Sequence, residues 1–170
     1  APFVGLRPQR LVDTRTGLGP RSSPVTPSST LVVPVTSLSA QLPDGTDVTV
    51  PDDAAAVAVN VTIARAASAG FATVWPCGTD RPNASNVNYE AGNPTGNGVV
   101  APVGDDGTIC IHTSASADVL LDLVAYFDGS GPVAAAAIEV AEVEVAEVEV
   151  AEVEVAEVEV AEVEVASAVA

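Results

Sequence analysis

The chain has 170 residues, with 23 acidic residues against six arginines, no lysine and a formal net charge of −17. A field of that sign repels nucleic acid and anionic lipid. No apolar run approaches the roughly 20 residues of a membrane helix, so neither nucleic-acid binding nor membrane insertion is expected.

In chain order, the first distinctive segment is Asp13-Thr14-Arg15, placed directly after apolar Leu11 and Val12. It predicts a structural ion pair between Asp13 and Arg15 that fixes the N-terminal segment, with a ligand-facing arginine as the alternative. Strands are predicted at Leu31–Val35 and Asp47–Val50, separated by the turn Pro43-Asp-Gly45. Residues 56–63 alternate cleanly, with Val57, Val59, Val61 and Ile63 on one face and Ala58, Asn60 and Thr62 on the other. Further strands are predicted at Phe71–Pro76, Val87–Tyr89, Val99–Val103 and Thr108–Thr113. Between them, Pro94-Thr-Gly96 and Asp105-Asp-Gly107 read as turns. The longest apolar run is Asp118–Phe127, in which period two puts Val119, Leu121, Leu123, Ala125 and Phe127 on one face. Thirteen prolines, thirteen glycines and the absence of helical periodicity before residue 130 point the same way. The expected fold is all-β: a sandwich or a small barrel of short antiparallel strands over residues 1–128. A hinge follows at 129–135, then an extended low-complexity C-terminal tail at 136–170.

Cys77 and Cys110 form no CxxC pair and have no histidine cluster nearby in sequence, so a disulfide is favoured over a metal site. It would close a loop of about 34 residues, worth roughly 3–4 kcal/mol, and it implies an oxidising compartment. The sequence opens Ala1-Pro2-Phe3 and contains no methionine. Removal of a secretory leader is the expectation.

The candidates for chemistry are few. His112 is the single histidine; it shares a strand with Cys110 and no GxSxG elbow accompanies it, so it reads as a strand-face residue. Asp118 and Asp122 share a strand face about 13 Å apart, too far for a glycosidase pair on their own. Paired with Arg15 or Arg81, they would anchor loops. The most polar loop, Arg81-Pro-Asn-Ala-Ser-Asn86, could grip sugar hydroxyls. Arg81, Asn83 and Asn86 would supply the hydrogen bonds, and Trp75 or Tyr89 the stacking platform. Its Asn and Ser side chains could equally satisfy their own turns. Asp105-Asp-Gly107 and Pro43–Asp47 could attract Ca²⁺, but neither has the spacing of an EF-hand loop, and both read first as hairpin turns. No other cofactor is expected.

The tail stands apart. Residues 141–165 are five copies of Ala-Glu-Val-Glu-Val, and the whole segment after Pro132 holds eleven glutamates and no base. A helix with this repeat spreads its glutamates round the whole cylinder and forms no apolar stripe. A strand alternates Val and Glu within each copy, and the alanine then switches the face. Extended, 30 residues reach roughly 100 Å, against a body diameter of about 30 Å. An unstructured acidic tail, a strand donated to a neighbouring copy and a short pentapeptide solenoid all remain open.

Six ordered segments carry a resemblance. They are Arg10-Leu-Val-Asp-Thr-Arg15, Ala58-Val-Asn-Val-Thr62, Gly70-Phe-Ala-Thr-Val-Trp-Pro-Cys-Gly78, Arg81-Pro-Asn-Ala-Ser-Asn-Val-Asn88, Pro102-Val-Gly-Asp-Asp-Gly-Thr-Ile-Cys110 and Asp122-Leu-Val-Ala-Tyr-Phe127. Together they resemble a module repeated in secreted, cell-surface proteins of actinobacteria and related bacteria, often beside wall-lytic or adhesive domains. The resemblance covers nearly all of residues 3–127 and excludes the tail. It implies a secreted β-domain bridged by Cys77 and Cys110, without catalytic residues to carry over.

The expected function is therefore that of an extracellular structural subunit, not an enzyme. It would assemble with other copies of itself into a fibre or surface layer, partly by strand addition. A carbohydrate- or cell-wall-binding module is the alternative.

Overall fold

The computed structural model describes residues 2–129. The repeat tail, and the hinge beyond its first residue, lie outside the described residues. Ten strands form. They are β1 (Phe3–Asp13), β2 (Leu31–Pro34), β3 (Ser39–Gln41), β4 (Asp47–Thr49), β5 (Ala56–Ala64), β6 (Gly70–Pro76), β7 (Val87–Tyr89), β8 (Thr95–Pro102), β9 (Thr108–Thr113) and β10 (Asp118–Phe127). One antiparallel sheet runs β1-β10-β5-β8, a second runs β2-β9-β6-β7, and β3 pairs with β4 as a small hairpin. The sheets stay open, so the architecture is sandwich-like and not a closed barrel.

The core is built from the alternation of β5. Val57, Val59, Val61 and Ile63 are each no more than 1% exposed, and the intervening Ala58, Asn60 and Thr62 are half-buried on the other side. Burying each of those branched side chains stabilises the fold by about 1.5–3 kcal/mol. Leu121 and Leu123 of β10 join them, and Leu31, Val33, Ile109 and Ile111 of the second sheet meet them in one continuous cluster.

Two expectations need correction. Five odd-numbered residues of β10 were expected to share the core face. A β-bulge between Leu123 and Ala125 breaks the alternation. Leu123 pairs with core-facing Val59, but Ala125 pairs with Ala58 and Phe127 with Ala56, on the outer row of β5. Tyr126 takes the inward place opposite Val57 and is buried. Secondly, Pro94-Thr-Gly96 is not a free turn: Thr95 and Gly96 already pair with Ile63 and Thr62 as the start of β8.

The longest strand, β1, carried no alternation to announce it. Gly5, Pro8 and two register irregularities against β10 interrupt its pattern. The two predicted Asp-Gly turns form as turns. Gly45 and Gly107 adopt φ of 93° and 74°, the left-handed region where a side chain would be strained.

Candidate functional site

The Asp13-Thr14-Arg15 segment lies where β1 ends beside β10. Asp13 turns the chain, its N–H donating to Leu18 O at 3.0 Å and its carbonyl accepting from Gly17 and Leu18. This aims the carboxylate back along its own turn. Arg15 grips it with Nε to Oδ1 at 2.9 Å and Nη2 to Oδ2 at 2.7 Å, and the Arg15 N–H adds a third bond. The Arg15 guanidinium holds the Asp13 carboxyl down at about 2, against the opposing pull of burial.

The pair belongs to a longer ladder. Arg10 makes a bidentate contact to Asp122 at 2.7 and 2.9 Å, and its third nitrogen stands 3.7 Å from Asp13. The Asp122 contact, with the nearby Asp13 charge, raises the Arg10 pKa. Thr14 stitches the strands: its N–H donates to Val119 O, and its hydroxyl accepts from Val119 N and donates to Asp118 Oδ1 at 2.8 Å. Arg65 completes Asp118 with Nε to Oδ2 at 2.7 Å. It reaches that carboxylate from a backbone φ of 47°, one of two non-glycine residues with positive φ among the described residues. The expectation that Arg15 or Arg81 would pair Asp118 and Asp122 is thus corrected. Asp122 binds Arg10, its partner by strand register, and Asp118 binds Arg65, the residue that follows its register partner Ala64.

The sugar-binding constellation is not assembled as expected. Trp75 is 7% exposed and packs on the disulfide between Cys77 and Cys110, whose Cα atoms stand 5.1 Å apart. Its Nε1 donates to Thr79 O, so residues 77–79 fold back over the ring. Tyr89 is 3% exposed, and its hydroxyl bonds both the N–H and the carbonyl of Ala115. Neither ring offers a stacking face, a correction with two causes: Tyr89 points into the main core, and Trp75 is packed against the disulfide.

Asn86 serves that cover. Its Oδ1 accepts from Val74 N at 2.7 Å, its N–H donates to Ala72 O and its carbonyl accepts from Asn97 Nδ2. Thr73 Oγ1 donates to Ala84 O at 2.7 Å. The loop is therefore pinned at both ends, with Arg81 and Asn83 exposed near its tip. His112 lies beneath it, 6% exposed. Burial first, and the nearby Arg81 charge second, lower its pKa against a hydrogen bond to the Ser29 backbone.

The two Asp-Gly turns use their own carboxylates. Asp44 Oδ1 accepts from Thr46 N, and Asp106 Oδ1 from Thr108 Oγ1. No group of three or more His, Cys, Asp or Glu placed to hold a metal occurs among the described residues. No helix among them is long and apolar enough to cross a membrane.

What sequence reading missed is the outside of the β1-β10-β5-β8 sheet. By register, Phe3, Phe127, Ala56 and Pro102 form one row across it, and Gly5, Ala125, Ala58 and Val100 the next. Phe3 and Val100 are 62% and 61% exposed. Beyond them lies the row Arg10, Asp122, Asn60 and Gly98. The one signal available was the run of small residues at outward positions of β5, which pattern reading treats as a solvated face.

No protein-family model matches the chain. The search of curated proteins finds no match either.

Proposed function

We propose that the protein is an extracellular structural subunit that joins its copies by β-strand addition. The observation that carries this reading is the edge strand β8. Eight residues long, it pairs with β5 alone among the strands described, so its far side has no strand partner. Edges of this kind are usually blunted by charge or an interior proline. Thr95–Ala101 holds neither, and Pro102 stands only at the end. A backbone edge free of charge and of interior proline, with Gly96 and Gly98 in it, accepts an added strand from another chain.

The donor we assign is the Ala-Glu-Val-Glu-Val tail of a neighbouring copy, whose valines match an extended partner. Donation from tail to edge is head-to-tail and does not close on itself, which builds a filament. The disulfide and the resemblance to secreted surface modules support an oxidising, extracellular setting.

Electron microscopy and light scattering of the full chain, beside a chain lacking residues 133–170, test it. Filaments from the full chain only, suppressed by an excess of a three-repeat tail peptide, are expected. Filaments that survive the deletion reject the tail as donor, and a full chain that stays a single bead rejects the reading.

The wall-binding alternative keeps one supporting observation, the pinned loop with Arg81 and Asn83 exposed. Retention on purified cell wall that falls at least tenfold in Arg81→Ala supports it; no retention of the unaltered chain removes it.

A further inference from the structure

We propose that the outer face of the β1-β10-β5-β8 sheet is a second self-contact, on which two copies pair about a two-fold axis near Ala58. It is distinct from the β8 edge.

Charge sets this face apart. The chain carries −17 overall, and twelve acids against six arginines in its first 132 residues. On this face the account balances. Asp13, Asp118 and Asp122 are each held by an arginine, Arg15, Arg65 and Arg10. β5 and β8 contain no charged residue. Arg7 of β1 turns aside to the carbonyl of Pro43. The other nine acids of that segment lie in loops, in turns or on β4. Two copies therefore repel across most of their surfaces and approach without repulsion here.

The apolar groups of the face are set out to match a second copy. Phe3 packs edge-to-face on Phe127, centroids 5.3 Å apart, yet remains largely exposed, as does Val100 at the opposite margin. Small Ala56, Ala58 and Gly5 lie between them. Two such faces turned through a two-fold axis along the strands, between Ala58 and Ala125, set Val100 of each copy over Gly5 of the other and Phe127 over Ala56. The Arg10–Asp122 pair falls at the rim, where it stays solvated.

Four strands and the three rows named give a face of roughly 400 Å². That is below the about 800 Å² per partner of a standard interface, so the pair belongs to the weak, reversible class. Weakness makes its salt response diagnostic. A neutral contact between anionic bodies strengthens as salt screens their repulsion, whereas one held by ion pairs weakens.

Sedimentation equilibrium of the full chain tests this below the concentration at which filaments form. Pairs are expected, with association at least threefold stronger in 0.5 M than in 0.05 M salt. Ala58→Glu sets like charges together at the axis and should weaken pairing at least tenfold. Phe3→Ser, at an exposed position, should do the same without burdening the fold. Val32→Glu, on the other sheet, should change nothing. Ala58→Glu mixed with Ala58→Lys should restore mixed pairs, the signature of a residue facing its own copy. A chain that is single at every concentration, or pairing indifferent to both Ala58→Glu and Phe3→Ser, overturns the proposal. Neither result touches strand addition, which is read from the filaments.

Discussion

The two sheets of the sandwich treat their outer sides in opposite ways. The outside of the β2-β9-β6-β7 sheet is closed along its middle by the chain itself, with Val32 and Phe71 left exposed at its two sides. Every residue of β9 is buried, Trp75 lies under residues 77–79, and the loop from Cys77 to Asn86 is bonded down at both ends. The outside of the β1-β10-β5-β8 sheet stays open at Phe3 and Val100, and its polar half is tied by side-chain pairs and the turn after Asp13. Two layers of similar strands thus separate into one face finished by local loops and one face left for contact. The lesson is that strand composition fixes the inside, whereas the connections decide the outside.

Disturbing the closed face should cost most. Trp75→Ala removes a ring that fills the space between loop and disulfide, and a loss of about 3–5 kcal/mol in denaturant unfolding is expected. If the loss stays under about 1 kcal/mol, the loop does not seal that side. Cys77→Ser, or reduction of the native protein, should lower stability by about 3–4 kcal/mol, seen as a lower melting temperature. On the open face the ion-pair ladder ranks next. Asp118→Asn weakens the Arg65 contact and disturbs buried Thr14, an expected loss of about 2–3 kcal/mol by the same denaturant assay.

Acid titration probes the same ladder more gently. The folded Asp13 pKa of about 2 lies below its ordinary value of 3.8. Its contribution is therefore present in full above pH 4 and is lost as pH falls toward 2. The melting temperature of the unaltered protein should drop faster across that window than that of Asp13→Asn. The smallest effect is expected on the open apolar patch. Val100→Thr, assayed at dilute concentration, should shift unfolding by no more than about 0.5 kcal/mol. A larger shift would mean the patch is packed within the single copy.

The contrast also explains what the sequence disclosed. Strict alternation made β5 legible, as every second residue from Val57 to Ile63 faces the core. Turn chemistry located Gly45 and Gly107, and the cysteine count alone pointed to the bridge. The ladder was half legible. Asp13 and Arg15 are two residues apart, but the partners of Asp118 and Asp122 depend on pairings 53 and 112 residues distant in the chain. No local pattern encodes those. Trp75 and Tyr89 misled for a related reason: alternation does not say which face of a short strand is the inside, so Tyr89 proves to belong to the main core and Trp75 to lie against the disulfide on the other side of the sheet.

The extra residue in β10 makes the molecule's exterior contingent on a count of one. With Val124 present, Phe127 and Ala125 join the outward rows while Tyr126 points inward. Excising it would straighten the strand and leave Ala125, Tyr126 and Phe127 opposite Ala58, Val57 and Ala56, whereas a regular strand that kept it would turn those three side chains over together, exchanging two apolar groups outside for a phenol. Setting one residue aside at the bulge thus decides which side chains the end of β10 shows outside, with β5 and the greater part of the core untouched. Insertions at that point deserve comparison with changes in assembly state.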